Sequence, residues 1–394
     1  MPRFADRPLG LTPASVRDHR EQARRRLPRQ LFDYIDGGAY EESTMRANEA
    51  DLGRIRLRQR VLRDVGEVTT STTVLGRELS MPVILGPVGL GGMFARRAEV
   101  QAARAAEGAG VPFVESTVSI CSMEEVAAAT TAPFWYQLYV MRDRAYAEDL
   151  MARATAAGCD TLVLTVDFPV VGERYRDTRN GMTVPVGPVG RARKAFDLVR
   201  HVRWLRDVAI GGKPLTFGNL EKAVPGATTP EAFKDWVDAQ FDPTVTWDDL
   251  DWVRGHWSGP VVLKGVLDPQ DAATAVGLGV DAIVVSNHGG RQLDDTTSSI
   301  GALPGVAEAV GGRAEVLFDG GVRSGLDVVK ALSLGARAVL LGRAWAWAVA
   351  GGGEAGVTAV LQTIRSELRA AMALCGVTDV ADLDPSVLLE PPPG

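Results

Sequence analysis

Eight short apolar segments, repeated between residues 81 and 342, constrain the fold more than any other feature of this sequence. Each is bounded by glycine and polar residues and is rich in aliphatic, β-branched or aromatic side chains, as is typical of strands buried on both faces. The stretches between them are amphipathic, rich in alanine and end near glycine, as helices commonly do. Strands alternating with helices predict an α/β fold, here a (β/α)8 TIM barrel. The eight predicted strands are 81–86, 111–116, 133–139, 161–166, 260–265, 281–286, 314–319 and 337–342.

The lengths of the remaining segments predict a single domain, 1–394, with additions to the barrel. An N-terminal extension carries two predicted helices, 12–26 and 29–35. A long insertion follows the fourth strand and greatly exceeds an ordinary strand-to-helix connection. Because that end of a barrel strand hosts the chemistry, we expect the insertion to cover the active site. The predicted parts are the extension 1–80, the barrel segments 81–176 and 251–374, the insertion 177–250 and the tail 375–394.

Composition excludes several classes of protein. Apolar residues make up 46% and charged residues 23%, which is a globular balance rather than a disordered one. A net charge of −6 argues against a nucleic-acid partner, and no apolar run is long enough for a transmembrane helix. Cys121, Cys159 and Cys375 are too few and too scattered for a disulfide framework or a zinc site, so no metal is predicted. A cytosolic enzyme is the expectation.

Polar residues stand at the ends of six successive predicted strands, from the third to the eighth. Because the carboxyl ends of barrel strands carry the chemistry, this joint occurrence predicts an active site there. They are Gln137 and Tyr139; Thr165 and Asp167; Lys264; Ser286, Asn287, His288 and Arg291; Asp319, Gly320, Gly321 and Arg323; and Gly342 and Arg343.

His288 stands in the segment Ser-Asn-His-Gly-Gly-Arg, where two glycines allow a tight turn and Arg291 follows closely. An imidazole beside a cation suits a general base acting on an anionic substrate. Lys264 ends a buried strand, so it either pairs with an acid or stabilises negative charge on a bound group.

The loops after the seventh and eighth strands combine glycine with Arg323 and Arg343, which suits close backbone approach and bidentate contact with phosphate oxygens. This is the usual phosphate location in the fold, although simple tight turns would look the same. No Gly-x-Gly-x-x-Gly opens a dinucleotide-binding unit, so NAD is not implied.

Four of these motifs together resemble the FMN-dependent L-2-hydroxy acid dehydrogenase/oxidase family over about 15–374. They are Ser-Asn-His-Gly-Gly-Arg-Gln-Leu-Asp at 286–294, Leu-Lys-Gly-Val at 263–266, Asp-Gly-Gly-Val-Arg at 319–323 and Trp-Tyr-Gln-Leu-Tyr at 135–139. Further segments resemble its branch of bacterial membrane-associated L-lactate dehydrogenases, namely 32–40, 79–82, 87–90 and 174–177.

The resemblance implies roles at the substrate. His288 would take the proton of the substrate hydroxyl while a hydride leaves Cα for flavin N5, Asp167 would stabilise the resulting imidazolium, and Tyr139 would hydrogen-bond the hydroxyl. A carbanion route stays open as an alternative to hydride transfer. The substrate carboxylate would be held by Tyr34, Arg174 and Arg291.

The resemblance also implies one non-covalent FMN. Lys264 would lie near flavin N1 and O2, where negative charge accumulates on reduction. The other implied cofactor-binding residues are Pro87, Val88 and Gly89 through their backbone, Ser116, Gln137, Thr165 and Ser286, and, for ribityl and phosphate, Asp319, Gly320, Gly321, Arg323, Gly342 and Arg343.

As a member of this family the protein would oxidise a small 2-hydroxy acid, L-lactate to pyruvate, and pass electrons to a quinone or another acceptor. It would assemble as a homotetramer or larger homo-oligomer, in the cytoplasm or peripherally on the cytoplasmic face of the inner membrane. An oxygen-using oxidase of a larger acid such as mandelate is the alternative. Gly89 favours the dehydrogenase, because family oxidases tend to have alanine there, and Val118 replaces a tryptophan of many plant-type oxidases. A non-redox barrel that binds a phosphorylated ligand would leave His288, Arg291 and Asp167 unexplained.

The segment 191–210 is predicted to form one basic amphipathic helix. Residues 191–207 include six basic and two acidic residues, and apolar residues recur every three or four positions. Such a helix, with Trp204 near its middle, suits the headgroup region of an anionic membrane. The alternative is a lid helix that only packs on the barrel or on a neighbouring subunit.

Overall fold

The computed structural model describes residues 12–223, 236 and 239–389. Eight parallel strands pair in the order β1-β8-β7-β6-β5-β4-β3-β2, and a parallel bridge between Leu85 and Phe113 joins the two end strands. The predicted (β/α)8 barrel and its eight strands are confirmed. The strands are β1 (Val83–Leu85), β2 (Val114–Ser116), β3 (Trp135–Tyr139), β4 (Thr161–Thr165), β5 (Val261–Val266), β6 (Ala282–Val285), β7 (Glu315–Phe318) and β8 (Ala338–Leu341).

The strands are rich in apolar residues because both of their faces are buried. One set of side chains, including Ile84, Val163 and Leu317, forms a closed cluster inside the barrel. Their chain neighbours, such as Leu85 and Leu164, pack outward against the surrounding helices in the larger core. The continuous apolar runs of the sequence follow from this double burial.

The helices surround the barrel, and several begin where a serine or aspartate side chain caps the first turn, as Ser122, Ser298 and Ser324 do. The last helix is broken at Gly353, whose φ of 64° and ψ of −151° suit glycine. The helices are α1 (Val16–Arg26), α2 (Arg29–Asp36), α3 (Ser43–Arg54), α4 (Ala98–Ala109), α5 (Met123–Ala129), α6 (Arg144–Ala156), α7 (Tyr175–Arg179), α8 (Pro188–Arg200), α9 (Val202–Trp204), α10 (Asp249–His256), α11 (Pro269–Gly277), α12 (Ser299–Val310), α13 (Gly325–Ser333) and α14 (Arg343–Cys375).

The N-terminal extension contains the two predicted helices and one more. Helix α1 begins at Val16 rather than residue 12, because Ser15 and Asp18 form a capping box. Helix α3 was not predicted; it packs on α12 and brings Asn48 to the loop of His288. Two short ribbons complete this region, Thr72–Val74 with Arg77–Leu79, and Arg56–Leu57 with Leu388–Leu389 of the tail.

The insertion departs from the prediction in two ways. The single helix over 191–210 is wrong: α8 ends at Arg200, His201 has a non-helical φ of −101° and ψ of 54°, and a π-helical turn, Leu205–Ile210, follows α9. The headgroup role of Trp204 is also wrong, since the side chain is 7% exposed and its indole N–H donates to the Met93 carbonyl at 2.8 Å. Residues 224–235 and 237–238 of the insertion, like 1–11 and 390–394, lie outside the described residues.

Candidate active site

A cavity of about 540 Å³ opens at the carboxyl ends of the barrel strands, between the extension and the insertion. Most of the predicted site residues line it, so the fold brings these strand ends together around one cavity. The lining includes Tyr34, Pro87, Val88, Gly89, Ser116, Tyr139, Thr165, Arg174, Lys264, His288, Arg291, Asp319, Gly320, Gly321, Arg323, Gly342 and Arg343.

Three predicted residues lie directly behind this lining and hold it in place. Asp167 bonds to His288. Gln137 accepts a hydrogen bond from the Ser116 hydroxyl at 3.0 Å. The Ser286 hydroxyl accepts from the Lys264 ammonium at 3.1 Å and from the His288 backbone N–H at 3.0 Å. Each of the three therefore contacts a residue that lines the cavity.

His288 and Asp167 form a hydrogen-bonded pair, with Nδ1 of the imidazole 3.0 Å from Oδ1 of the carboxylate. His288 takes a left-handed φ of 56° and two glycines with positive φ follow it, so the loop turns sharply. Burial alone would raise the pKa of Asp167, but the charge and hydrogen bond of His288, with the charge of Lys264, outweigh burial and lower it. The carboxylate stays ionised and orients the ring, which leaves Nε2 as the other ring nitrogen, available to a substrate.

Two arginines flank the ring of Tyr34, with the guanidinium carbons of Arg291 and Arg174 at 5.0 and 5.3 Å from its centroid. Arg174 forms an ion pair with Asp177 at 2.8 Å. Within the described part of the chain, Arg291 donates only to the carbonyls of Tyr34 and Gly37. Burial lowers the pKa of Arg291, and repulsion by Arg174 lowers it further. A bound carboxylate would relieve that repulsion and match the forked donors.

An aromatic wall made of Tyr139, Phe168 and Phe241 bounds the cavity beside His288. The ring centroids of Phe168 and Phe241 are 4.5 Å apart, and each lies within 5.5 Å of the Tyr139 centroid. Phe168 also stands 5.7 Å from the His288 ring. Burial and the charge of Asp167 raise the pKa of Tyr139, so its hydroxyl stays protonated.

Lys264 lines the cavity and forms an ion pair with Asp319, with Nζ and Oδ2 3.0 Å apart. Burial would lower the pKa of Lys264, but the charges of Asp319 and Asp167 outweigh burial and raise it. The ammonium therefore remains charged where it can face a bound anionic group.

Arg323 and Arg343 lie where phosphate was predicted, and both are held by protein atoms. Arg323 contacts Glu49 at 3.0 Å, and Arg343 donates to the carbonyls of Gly37 and Gly289 at 2.7 and 2.8 Å. Burial and the charges of Arg291 and Arg323 lower the pKa of Arg343 to about 9. This excess of buried positive charge favours an anion.

The family model for FMN-dependent dehydrogenases matches residues 23–390. The chain belongs to the FMN-dependent dehydrogenase family. The resemblance stated from the motifs is thereby confirmed, and FMN is its cofactor.

The relatives that this dehydrogenase matches align with it over most of its length. It is 56% identical to an L-lactate dehydrogenase of Caulobacter vibrioides over 96% of this chain and 98% of that protein. It is 52% identical to one of Yersinia pestis, over 93% of this chain and 96% of that protein. Among solved structures, the monotopic membrane protein (S)-mandelate dehydrogenase is similar with a TM-score of 0.91 and 35% identity, covering 96% and 99% of the two chains.

The cavity of the dehydrogenase fits a flavin. Three buried polar atoms at its strand ends have no hydrogen-bond partner in the residues that the structure describes, namely Gln137 Nε2, Thr165 Oγ1 and Asp319 Oδ1. A side chain at Gly321 would meet the Asn48 carbonyl at 2.5 Å, so only backbone approaches the cavity there. Polar edges, apolar lining and clustered arginines suit a ring system that carries one phosphate.

Several lining residues were missed by sequence reasoning. Phe241, Lys194, Leu198 and Trp204 come from the insertion. Phe168 directly follows Asp167, so strand-end position was a usable signal for it. No sequence signal indicated Phe241, because an antiparallel β-bridge to Met141, which is distant in sequence, positions it.

Proposed function

We propose that this FMN-dependent dehydrogenase oxidises L-lactate to pyruvate. The observation that carries the proposal is the His288–Asp167 pair beside the cations of Arg291 and Arg174. A base for a hydroxyl next to a site for a carboxylate is what a 2-hydroxy acid requires. The relatives at 52% to 56% identity bear the name of this reaction.

In this mechanism Arg291 and Arg174 bind the substrate carboxylate, and the Tyr139 hydroxyl hydrogen-bonds the substrate hydroxyl. His288 Nε2 accepts the hydroxyl proton, and Asp167 stabilises the imidazolium. When bound, FMN supplies the acceptor for the two electrons of the broken Cα–H bond.

The remaining predicted residues would hold FMN. The backbone of 87–89 with Ser116, Gln137 and Thr165 would contact the ring. Lys264, supported by Ser286, would face its negative charge. Ribityl and phosphate would be held by Asp319, Gly320, Gly321, Arg323, Gly342 and Arg343, of which the two arginines would exchange protein contacts for phosphate contacts.

The aromatic wall favours a small substrate. Phe168 and Phe241 fill the space beside Tyr139 and His288, so a methyl group is accommodated more readily than a phenyl ring. The alternative, oxidation of a mandelate-like acid with oxygen as acceptor, has support in the mandelate dehydrogenase and oxidase structures, at 35% to 39% identity.

The electron acceptor is a membrane quinone, reached at the cytoplasmic face of an anionic bilayer. Helix α8 carries Lys194 and Leu198 on the cavity, whereas Phe196 and Val199 are each 65% exposed on its other side. Among the described residues no helix is long and apolar enough to span a bilayer. Exposed apolar side chains among arginines suit peripheral contact, and the similar (S)-mandelate dehydrogenase is described as monotopic.

The insertion therefore covers the site on one side and faces lipid on the other. The chain 1–394 acts as one domain, because the extension, the barrel and the insertion all line one cavity. Assembly into a homotetramer or larger homo-oligomer stays a prediction of the family resemblance.

A substrate panel tests the reaction. Steady-state rates with L-lactate, D-lactate and L-mandelate should be measured with a quinone analogue and with oxygen. L-lactate with the quinone analogue should give the highest kcat/KM. A preference for L-mandelate with oxygen would establish the alternative instead.

Co-sedimentation with anionic vesicles tests the membrane contact. Phe196→Ser with Val199→Ser should weaken binding, because exposed apolar area is lost. Val61→Ser with Leu62→Ser is the matched control, since that pair is also exposed but lies in the extension. Equal binding by both double variants would leave the insertion as a lid only.

A further inference from the structure

A second cavity, of about 340 Å³, lies away from the flavin site. Three separate parts of the chain meet there: the end of α1, the segment before α4, and the π-helical turn of the insertion. The break in α14 closes the fourth side at Gly353. We call this cavity the arginine pocket, because Arg26, Arg96 and Arg206 line it.

The charges of the arginine pocket are not balanced. Asp207 is its one acidic lining residue among the described residues and pairs with both Arg26, at 3.3 Å, and Arg206, at 2.9 Å. The side chain of Arg96 has no hydrogen bond or ion pair within the described part of the chain. Three guanidinium groups against one carboxylate leave an excess of two positive charges. A bound anion would compensate them.

Backbone geometry adds to this preference. The second half of α14 begins at the Gly353 break, so the positive end of its dipole lies at the pocket. A side chain at Gly353 would meet Gln101 Oε1 at 2.7 Å. That oxygen is held by the Glu354 N–H at 2.8 Å. Glycine at position 353 therefore leaves room for the Gln101 side chain at the pocket.

We infer that the arginine pocket binds a phosphate group. Guanidinium forks match phosphate oxygens in pairs. The group could belong to a lipid headgroup or to a soluble phosphate compound. The lipid source rests on the proposed membrane contact, because Gly211 of the lining directly follows the 72% exposed Ile210 of the insertion. The soluble source does not rest on that contact.

The first experiment titrates FMN-loaded holoenzyme with inorganic phosphate at constant ionic strength and follows the unfolding temperature. A ligand that binds the folded state raises that temperature in a saturable way. In the double variant Arg96→Gln with Arg206→Gln, the phosphate concentration that gives half of the temperature shift should rise at least tenfold. Arg203→Gln is the matched control, since this exposed arginine belongs to the same insertion but does not line the pocket. An unchanged response in the double variant overturns the proposal.

A second measurement separates the two sources, using vesicles that contain phosphatidic acid or, at equal surface charge, phosphatidylserine. Loss of the phosphate response together with weaker binding to phosphatidic acid assigns the pocket to a lipid headgroup. Loss of the phosphate response with unchanged vesicle binding assigns it to a soluble phosphate. Failure of the wild type to bind any vesicle contradicts the membrane proposal alone, because the phosphate titration still decides the pocket.

Discussion

His288 illustrates what single residues contribute and how far sequence could go in identifying them. Its glycine-rich loop and its place after a strand predicted a general base. Asp167, more than a hundred residues earlier, was predicted as its partner only through the family resemblance. The 3.0 Å contact between them forms because β4, β5 and β6 lie side by side in the barrel. No local sequence pattern encodes that arrangement.

The first prediction concerns His288→Asn. The variant should retain FMN, because the ring lies at the substrate end of the cavity, but flavin reduction should slow by roughly 10²- to 10⁴-fold, the usual contribution of general base catalysis. Stopped-flow absorbance would measure it. His256→Asn is the control, as that histidine lies outside the cavity lining. A rate for His288→Asn near that of the control would refute the assignment.

The second prediction concerns Gln292. Its side-chain amide donates to the carbonyls of Asp167 and Val170 at 2.9 and 3.0 Å and accepts from the Gly172 N–H at 3.2 Å. Gln292→Leu should loosen the loop that carries Asp167 and reduce kcat about tenfold, because the carboxylate that orients His288 would be held less firmly. The exposed Gln270→Leu should behave as wild type. Gln292→Asn should not restore kcat, because the shorter side chain cannot reach across the loop. Full activity in Gln292→Leu would show that Gln292 has no positioning role.

The third prediction concerns Gly89, where a Cβ atom would approach Val118 Cγ2 to 2.7 Å. Gly89→Ala should shift turnover from a quinone analogue toward oxygen, in line with the alanine typical of family oxidases. Combining it with Val118→Ala relieves the steric conflict, so a shift that persists in the double variant belongs to the flavin environment. Peroxide formed per substrate oxidised is the measurement, and no change in either variant would contradict the idea.

At the scale of elements, the barrel strands were predictable because double burial leaves long apolar runs. The helices of the insertion were not predictable in the same way, because tertiary contacts determine where they begin and end. Apolar spacing through 191–210 predicted one helix, yet the burial of Trp204 against Met93 accompanies a break at His201. Helix α3 was missed for a similar reason, since long-range pairs such as Asn48 with Asn287 fix its position.

Helix α1 supplies the fourth prediction, through a buried histidine. His19 is 1% exposed, and neither ring nitrogen has a hydrogen-bond partner among the described residues. Burial lowers its pKa despite the charge of Asp18. The unfolded chain therefore binds a proton below about pH 6.5 that the folded chain resists. Stability should fall as the pH drops below that value, by up to about 1.4 kcal/mol per pH unit.

Thermal unfolding at pH 7.5 and pH 5.5 measures this effect. His19→Leu should shrink the difference in stability between the two pH values, whereas the exposed Gln270→Leu should leave it as in wild type. An identical pH dependence in all three proteins would show that His19 does not govern acid sensitivity.

At the scale of the whole molecule, one cavity joins parts of the chain that sequence reasoning treated separately. The extension contributes Tyr34, the barrel contributes His288 and Lys264, and the insertion contributes Phe241. Strand-end position predicted the barrel's share of the site. The aromatic wall depends on how the insertion returns to the barrel, so it could only be seen in the folded chain.

The most direct test of the account is anaerobic reduction of the FMN-loaded protein by single substrates, followed at the flavin absorbance band. We expect L-lactate to bleach the oxidised flavin rapidly and to yield one pyruvate per flavin, with D-lactate inert and L-mandelate much slower. Reduction by L-mandelate faster than by L-lactate, or no bleaching by any 2-hydroxy acid, would contradict the central claim.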